Sequence, residues 1–291
     1  MELIEVGSSV DIRREIDSLR SAIARLASPQ ISEASRDAFA TVLDASSRYL
    51  SEWLFDSIDL GDASSIVVVP SRSLGSLPWS GLPALSNRAF SVAPSLRLWA
   101  AMDARPAPDG DRVVAVGLDD PPLASAEALS VAELRNGSAV VGSEAQAGVV
   151  LSEINGAALA HLACHGVFRG DNPLMSSLHM ADGPITVYDF EHLDAPPATL
   201  VLSACEVAQS HRLAGDALLG MTASLMAAGT RSIIAATTVV ADRAAPQFMA
   251  EWHKLHAGGA SPAEALAGAR SSVGDDPPAR AVAASFLCLG V

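Results

Sequence analysis

Hydrophobic positions in the first sixty residues recur at helical spacing. In IRREIDSLRSAIARLA, residues 12–27, Ile12, Ile16, Leu19, Ile23 and Leu26 share one face of a predicted helix. FATVLDASSRYLSEWLFDSI at 39–58 predicts a second. Beyond residue 60 the pattern changes to short, continuous apolar runs: SSIVVVP (64–70), RVVAVG (112–117), ALAHLACHG (158–166), TLVLSAC (199–205) and RSIIAATTVV (231–240). Each reads as a strand buried on both faces, and most end in small or polar residues. Helical patterns lie between several of them, notably GDALLGMTASLMAAG (215–229), and PAEALAGARSSV follows the last. Apolar strands alternating with helices predict an α/β protein with a mostly parallel central sheet flanked by helices on both faces. ARPAPDGD (104–111) and GDDPPAR (274–280) are loops by composition.

Composition excludes several function classes. Nearly half of the 291 residues are hydrophobic, enough for a packed core. The net charge of −14 argues against nucleic-acid binding, which needs clustered Lys and Arg. No apolar run approaches the roughly 18 residues of a membrane span. The opening MELIEVGSSVDIRREIDSLR is charged almost from its start, unlike a signal peptide. Three cysteines in so long a chain do not build a disulfide framework. The expectation is a soluble, cytoplasmic, reduced protein.

In a parallel sheet, chemistry gathers beyond the carboxyl ends of the strands. Two predicted ends carry reactive side chains. HLACHGVFRG places His165 after an apolar strand and before Gly166, and TLVLSAC ends at Cys205. If the two strands are parallel neighbours, imidazole and thiol emerge at one edge, as a Cys/His nucleophile pair requires. A thiol has a free pKa of about 8.5, lowered beside an imidazole. The imidazole then protonates the leaving amine, and the N–H groups of Gly166 and Cys205 face the oxyanion. A cysteine at a strand end is also a common packing residue, and a lone histidine a common structural one. Spacing alone leaves both readings standing.

The ordered series HLACHG, NPLMSSL, PITVYDF, LVLSACE, GDALLGMTASLMAAGTRSIIAA and SPAEAL resembles the CHAT domain family, caspase-like cysteine peptidases of clan CD related to separases and gingipains. IVVVPSRSLGSLPWSGLPAL and SVAPSLRLW extend the resemblance toward the N-terminus. It covers roughly residues 46–291, with 1–45 expected as a helical segment packed on the same domain. It implies the caspase-haemoglobinase fold, His165 and Cys205 as catalytic dyad, and no metal or organic cofactor. The implied activity is cysteine endopeptidase action on protein partners. The alternative is a CHAT-fold interaction module that cuts nothing.

Departures from the family pattern bear on specificity. Where the family commonly has Trp-Pro-Val-Asp-Asp, this chain has Thr238, Val239, Val240, Ala241 and Asp242, in the loop that helps form S1. Asp242 there suits a basic P1 residue, whereas Arg72, after the first strand, suits an acidic one; either is also readable as a solvated loop charge. Ser203, two residues before the nucleophile, is expected to line the pocket wall. Cys164 replaces the usual Thr before the histidine and should be buried opposite His165. Cys288 belongs to the core. The short EVAQSHRLA between Cys205 and the next helix points to control by a separate sensor or activator protein, not by linker excision. His161, Cys164 and His165 fall short of the four converging ligands of a closed zinc site. His253 and His256 read as surface residues. No dinucleotide-binding, P-loop or serine-hydrolase motif occurs.

Overall fold

Ile12, Ile16, Leu19, Ile23 and Leu26 are all buried along one face of α1 (Ser9–Leu26), which lies against α2 (Glu33–Phe55). The computed structural model describes residues 9–28, 30–106, 110–203, 214–238, 240 and 244–291. The Ser32 hydroxyl caps α2 by accepting from Ser35 N–H, and Ser46 donates to Glu15 across the helix pair. The α1 face joins Leu77, Leu82, Phe90, Leu287 and Leu289 in one hydrophobic core.

The chain then alternates strand and helix. β1 (Ile66–Val68), β2 (Phe90–Val92) and α3 (Leu96–Asp103) come first. β3 (Val113–Gly117), α4 (Ala124–Arg135), β4 (Ser138–Val141), α5 (Ala147–Ile154) and β5 (Leu159–Ala163) follow. A small three-stranded antiparallel sheet interrupts the alternation with β6 (Gly166–Val167), β7 (Ser177–His179) and β8 (Pro184–Thr186), closed by α6 (Val187–Phe190). β9 (Thr199–Leu202), α7 (Ala214–Ala228), β10 (Ser232–Ala236), α8 (Ala245–Ala257), α9 (Pro262–Ser271), α10 (Pro277–Ser285) and β11 (Phe286–Gly290) complete the domain.

The main sheet has eight strands in the order β1-β2-β11-β10-β9-β5-β3-β4. Every pairing in it is parallel except β10 with β11, so the predicted mostly parallel sheet is present. Alternate residues serve opposite faces. Val113, Leu159, Val201 and Ile234 pack with Phe248, Met249 and Trp252 of α8. Val114, Val116, Leu162, Leu200 and Leu202 point into the larger core with α5 and α7.

Strand ends differ from the sequence pattern in detail. The 231–240 run leaves the ladder after Ala236, where Thr237 N–H donates to Ser285 O at 2.8 Å. The 158–166 run ends at Ala163, and Gly166 begins β6. The topology also splits the sheet by direction. β1 and β2 run with β11 and therefore opposite to β10, β9, β5 and β3.

Candidate active site

Four adjacent parallel strands, β10, β9, β5 and β3, end on the same edge of the sheet. β5 and β9 are direct neighbours, with His161 opposite Val201 and Leu162 opposite Leu202. This is the relationship the His165/Cys205 pairing requires. His165 follows β5 by two residues, and its carbonyl accepts from His179 N–H at 2.8 Å, which fastens the backbone to β7. Cys205 lies outside the described residues, as does Asp242.

A carboxylate outside every sequence motif meets His165. Asp120 Oδ1 lies 3.2 Å from His165 Nε2, with the imidazole a quarter exposed and the carboxylate largely in water. Asp120 sits between β3 and α4, in a loop fixed at both ends. Leu118 N–H donates to Ala163 O at 3.3 Å, next to the β5 end. The Ser125 hydroxyl of α4 reaches Gly117 O and Asp119 Oδ1, each at 3.1 Å. Gly117 permits the close approach of α4: a Cβ there would stand 2.2 Å from the Ala124 carbonyl oxygen.

The remaining predicted site residues divide. Gly166 pairs with Leu178 in the small sheet, directly beside His165. Thr238 is buried just past β10, its hydroxyl 2.7 Å from that of Ser285. Ser203 is fully buried and donates to Glu127 Oε1, so its hydroxyl is committed to the interior and not to a pocket wall. Arg72 is placed away from His165. Because β1 runs opposite to β9 and β10, the turn Arg72–Leu74 leaves at the edge where those strands begin and lies against α7.

Beneath the strand ends lies a buried polar chain. Ser203 (just past β9), Glu127 (α4), His161 (β5) and His253 (α8) are 0–6% exposed. His161 Nε2 lies 3.1 Å from Glu127 Oε1, the oxygen that also accepts a hydrogen bond from the Ser203 hydroxyl. His161 Nδ1 is 3.0 Å from His253 Nε2. The Nε2–Oε1 approach lacks hydrogen-bond geometry, so the side-chain hydrogen bonds of this buried chain are Ser203–Glu127 and His161–His253, and the second nitrogen of the last ring is His253 Nδ1. That nitrogen is buried without a partner among the described residues. Burial holds His253 well below the ordinary imidazole range, and His161, Arg135 and His256 push the same way, so the ring is neutral. His253 is therefore a core residue and not the surface one its sequence context suggested. Burial also lowers His256, against the Ala260 carbonyl that its Nδ1 meets at 2.7 Å. A serine, an acid and a histidine in contact superficially resemble a hydrolase triad. Here the hydroxyl binds the acid instead of the imidazole, and all three are sealed from solvent.

The other thiols are inert. Cys164 and Cys288 are fully buried, and desolvation raises each to about 12. Cys164 packs in the core shared by Leu162 and Leu202, as expected of a neighbour facing away from His165. Among the described residues no group of three His, Cys, Asp or Glu side chains is arranged to hold a metal ion. No described helix is long and apolar enough to cross a membrane.

Comparison with known proteins bears on the family and the fold. The profile of the CHAT domain matches residues 44–290. No curated protein matches the chain. Among solved structures, Saccharomyces cerevisiae separase in its complex with securin aligns with a TM-score of 0.56 at 14% identity, covering 90% of this chain and 18% of separase. A second crystal structure of that complex gives 0.58 at 12% identity, with 100% and 22% covered. The Arg-specific cysteine proteinase gingipain R gives 0.55 at 10% identity, with 97% and 74% covered. The chain thus spans about a fifth of separase, and at these identities the likeness is one of fold.

Proposed function

Since the chain belongs to the CHAT domain family, whose fold it shares with separase and gingipain, we propose that it is a cysteine endopeptidase using Cys205 and His165. The observation that carries this reading is the pairing of β5 with β9, which brings His165 and the chain leading to Cys205 to one sheet edge. The Cys205 thiolate attacks the scissile carbonyl carbon, and the carbonyl π electrons move onto oxygen. The N–H groups of Gly166 and Cys205 stabilise that oxyanion. Collapse of the intermediate breaks the C–N bond, and His165 gives its proton to the leaving amine. Water, deprotonated by His165, then hydrolyses the acyl-enzyme and frees the thiol. In this reading Asp120, 3.2 Å from Nε2, orients the imidazole, and Nδ1 is the nitrogen that serves the thiol.

The segment 237–242 reads P1 through Asp242, the charge that selects a basic side chain, while Thr238, buried with its hydroxyl on Ser285, anchors the segment from within. Arg72 has no part in this reading, because the sheet topology separates it from His165. The substrate is one or a few protein partners, and a separate sensor or activator protein controls access. A peptidyl ketone electrophile followed by peptide mass mapping tests the proposal. An adduct on Cys205 that disappears in His165→Ala is the expected result. An electrophile that marks Cys205 equally in both proteins contradicts a dyad and favours the interaction-module reading.

A further inference from the structure

Burying Glu127 is costly unless its charge is compensated, and an apolar residue would fill the same place more simply. Its two contacts indicate what the carboxylate does there. Both fall on Oε1: the Ser203 hydroxyl from one side and His161 Nε2 from the other. Ser203 is the last described residue before Cys205, and its backbone N–H donates to Leu162 O at 3.1 Å. The residue is thus held by β5 through its backbone and by α4 through its side chain.

The helix that carries Glu127 also governs the other half of the dyad. Asp120 lies just ahead of α4, in the loop that Ser125 ties to Gly117 and Asp119. Glu127 N–H donates to Leu123 O at 2.8 Å, so Glu127 sits in the first turn beyond that loop. One rigid element therefore reaches His165 through Asp120 and the nucleophile's strand through Glu127. The contact of His161 with His253 extends the connection to α8, the helix that follows the segment 237–242.

We propose that Glu127 is a positioning residue: through Ser203 it holds the strand end that delivers the nucleophile in register with His165, which α4 holds through Asp120. The proposal rests on the dyad reading above and adds that α4 sets the relative placement of its two members. Glu127 touches neither substrate nor thiol. Its effect passes through Ser203, so position should matter more than charge. Because both contacts use a single oxygen, a glutamine carbonyl at the same place serves both.

The test is the rate at which iodoacetamide alkylates Cys205, followed by peptide mass mapping across pH 5 to 9, with a thermal melt on every variant. The proteins are wild type, Glu127→Ala, Glu127→Gln, Ser203→Ala and His165→Ala. Glu127→Ala should slow alkylation about tenfold at pH 7 and move the midpoint toward that of a free thiol near 8.5. Ser203→Ala, which deletes a single oxygen and keeps the fold if Glu127→Ala does not, should slow it about threefold. Glu127→Gln should recover most of the wild-type rate. If Glu127→Ala and Ser203→Ala lower the melting temperature but leave the rate within about twofold, the buried chain is structural and the proposal fails. If Glu127→Gln is as slow as Glu127→Ala, the effect is electrostatic and the positioning role is overturned. A Cys205 profile indifferent to His165→Ala removes the dyad itself, and the present inference with it.

Discussion

Asp120 and His165 meet across neighbouring strand ends, with 3.2 Å between Oδ1 and Nε2, although one leaves β3 and the other β5. The carboxylate is 84% exposed, so water competes for it and the contact is modest. Asp120→Ala is expected to slow Cys205 alkylation at pH 7 by up to about fivefold, the equivalent of an exposed ion pair. A change beyond that range would mean that the contact is stronger than an exposed ion pair. Alkylation rates of the two proteins decide it.

Gly117 brings α4 against β3, and a methyl group there would collide with the Ala124 carbonyl oxygen and lie 2.8 Å from Ala128 Cβ. Gly117→Ala should cost about 1–3 kcal/mol as the helix shifts outward. Urea unfolding measures this, and the Asp120→Ala phenotype should appear alongside because the loop moves with the helix.

Acid should destabilise the fold through His253. Its folded-state pKa lies well below that of an ordinary imidazole, chiefly from burial. Below pH 6.5 the unfolded chain therefore binds a proton that the folded chain refuses, and stability falls as pH falls. The slope is about 1.4 kcal/mol per pH unit for one proton. His256 is displaced in the same direction and adds to it. His253→Gln keeps a hydrogen-bonding side chain beside His161 Nδ1 without a titrating ring, so its melting temperature should decline less between pH 7 and 5.5. Equal declines in both proteins would assign the acid sensitivity elsewhere.

Thiol counting separates Cys205 from the rest. The chain has three cysteines, of which Cys164 and Cys288 are sealed with pKa raised to about 12. The native protein should react with one equivalent of a thiol reagent at pH 7 and with three in denaturant. Rapid reaction of Cys164 would mean that β5 opens readily.

Much of this architecture is legible in the chain. The five apolar runs correspond to β1, β3, β5, β9 and β10, because continuous buried strands leave a strong local signature. β2, β4 and β11 escape notice for physical reasons. Phe90–Val92 is three residues long, Ser138–Val141 is half-exposed at the sheet edge, and Phe286–Gly290 continues from α10 without a turn. The placement of Arg72 depends on strand direction, which no local pattern encodes. The buried chain does leave a local trace in the sequence. Glu127 falls in register with Ala124, Ala128 and Val131, and His253 with Phe248, Met249 and Trp252, so each is a polar residue on an apolar stripe. Asp120 had no such signal, since its role arises only when β3 and β5 align.

The central claim is that Cys205 is a nucleophile served by His165. Its most direct test is cleavage of a peptide library mixed at P1, with wild type and Cys205→Ala side by side. The predicted result is cleavage by wild type after basic residues and none by the variant. Equal cleavage of the same peptides by both proteins would contradict the account.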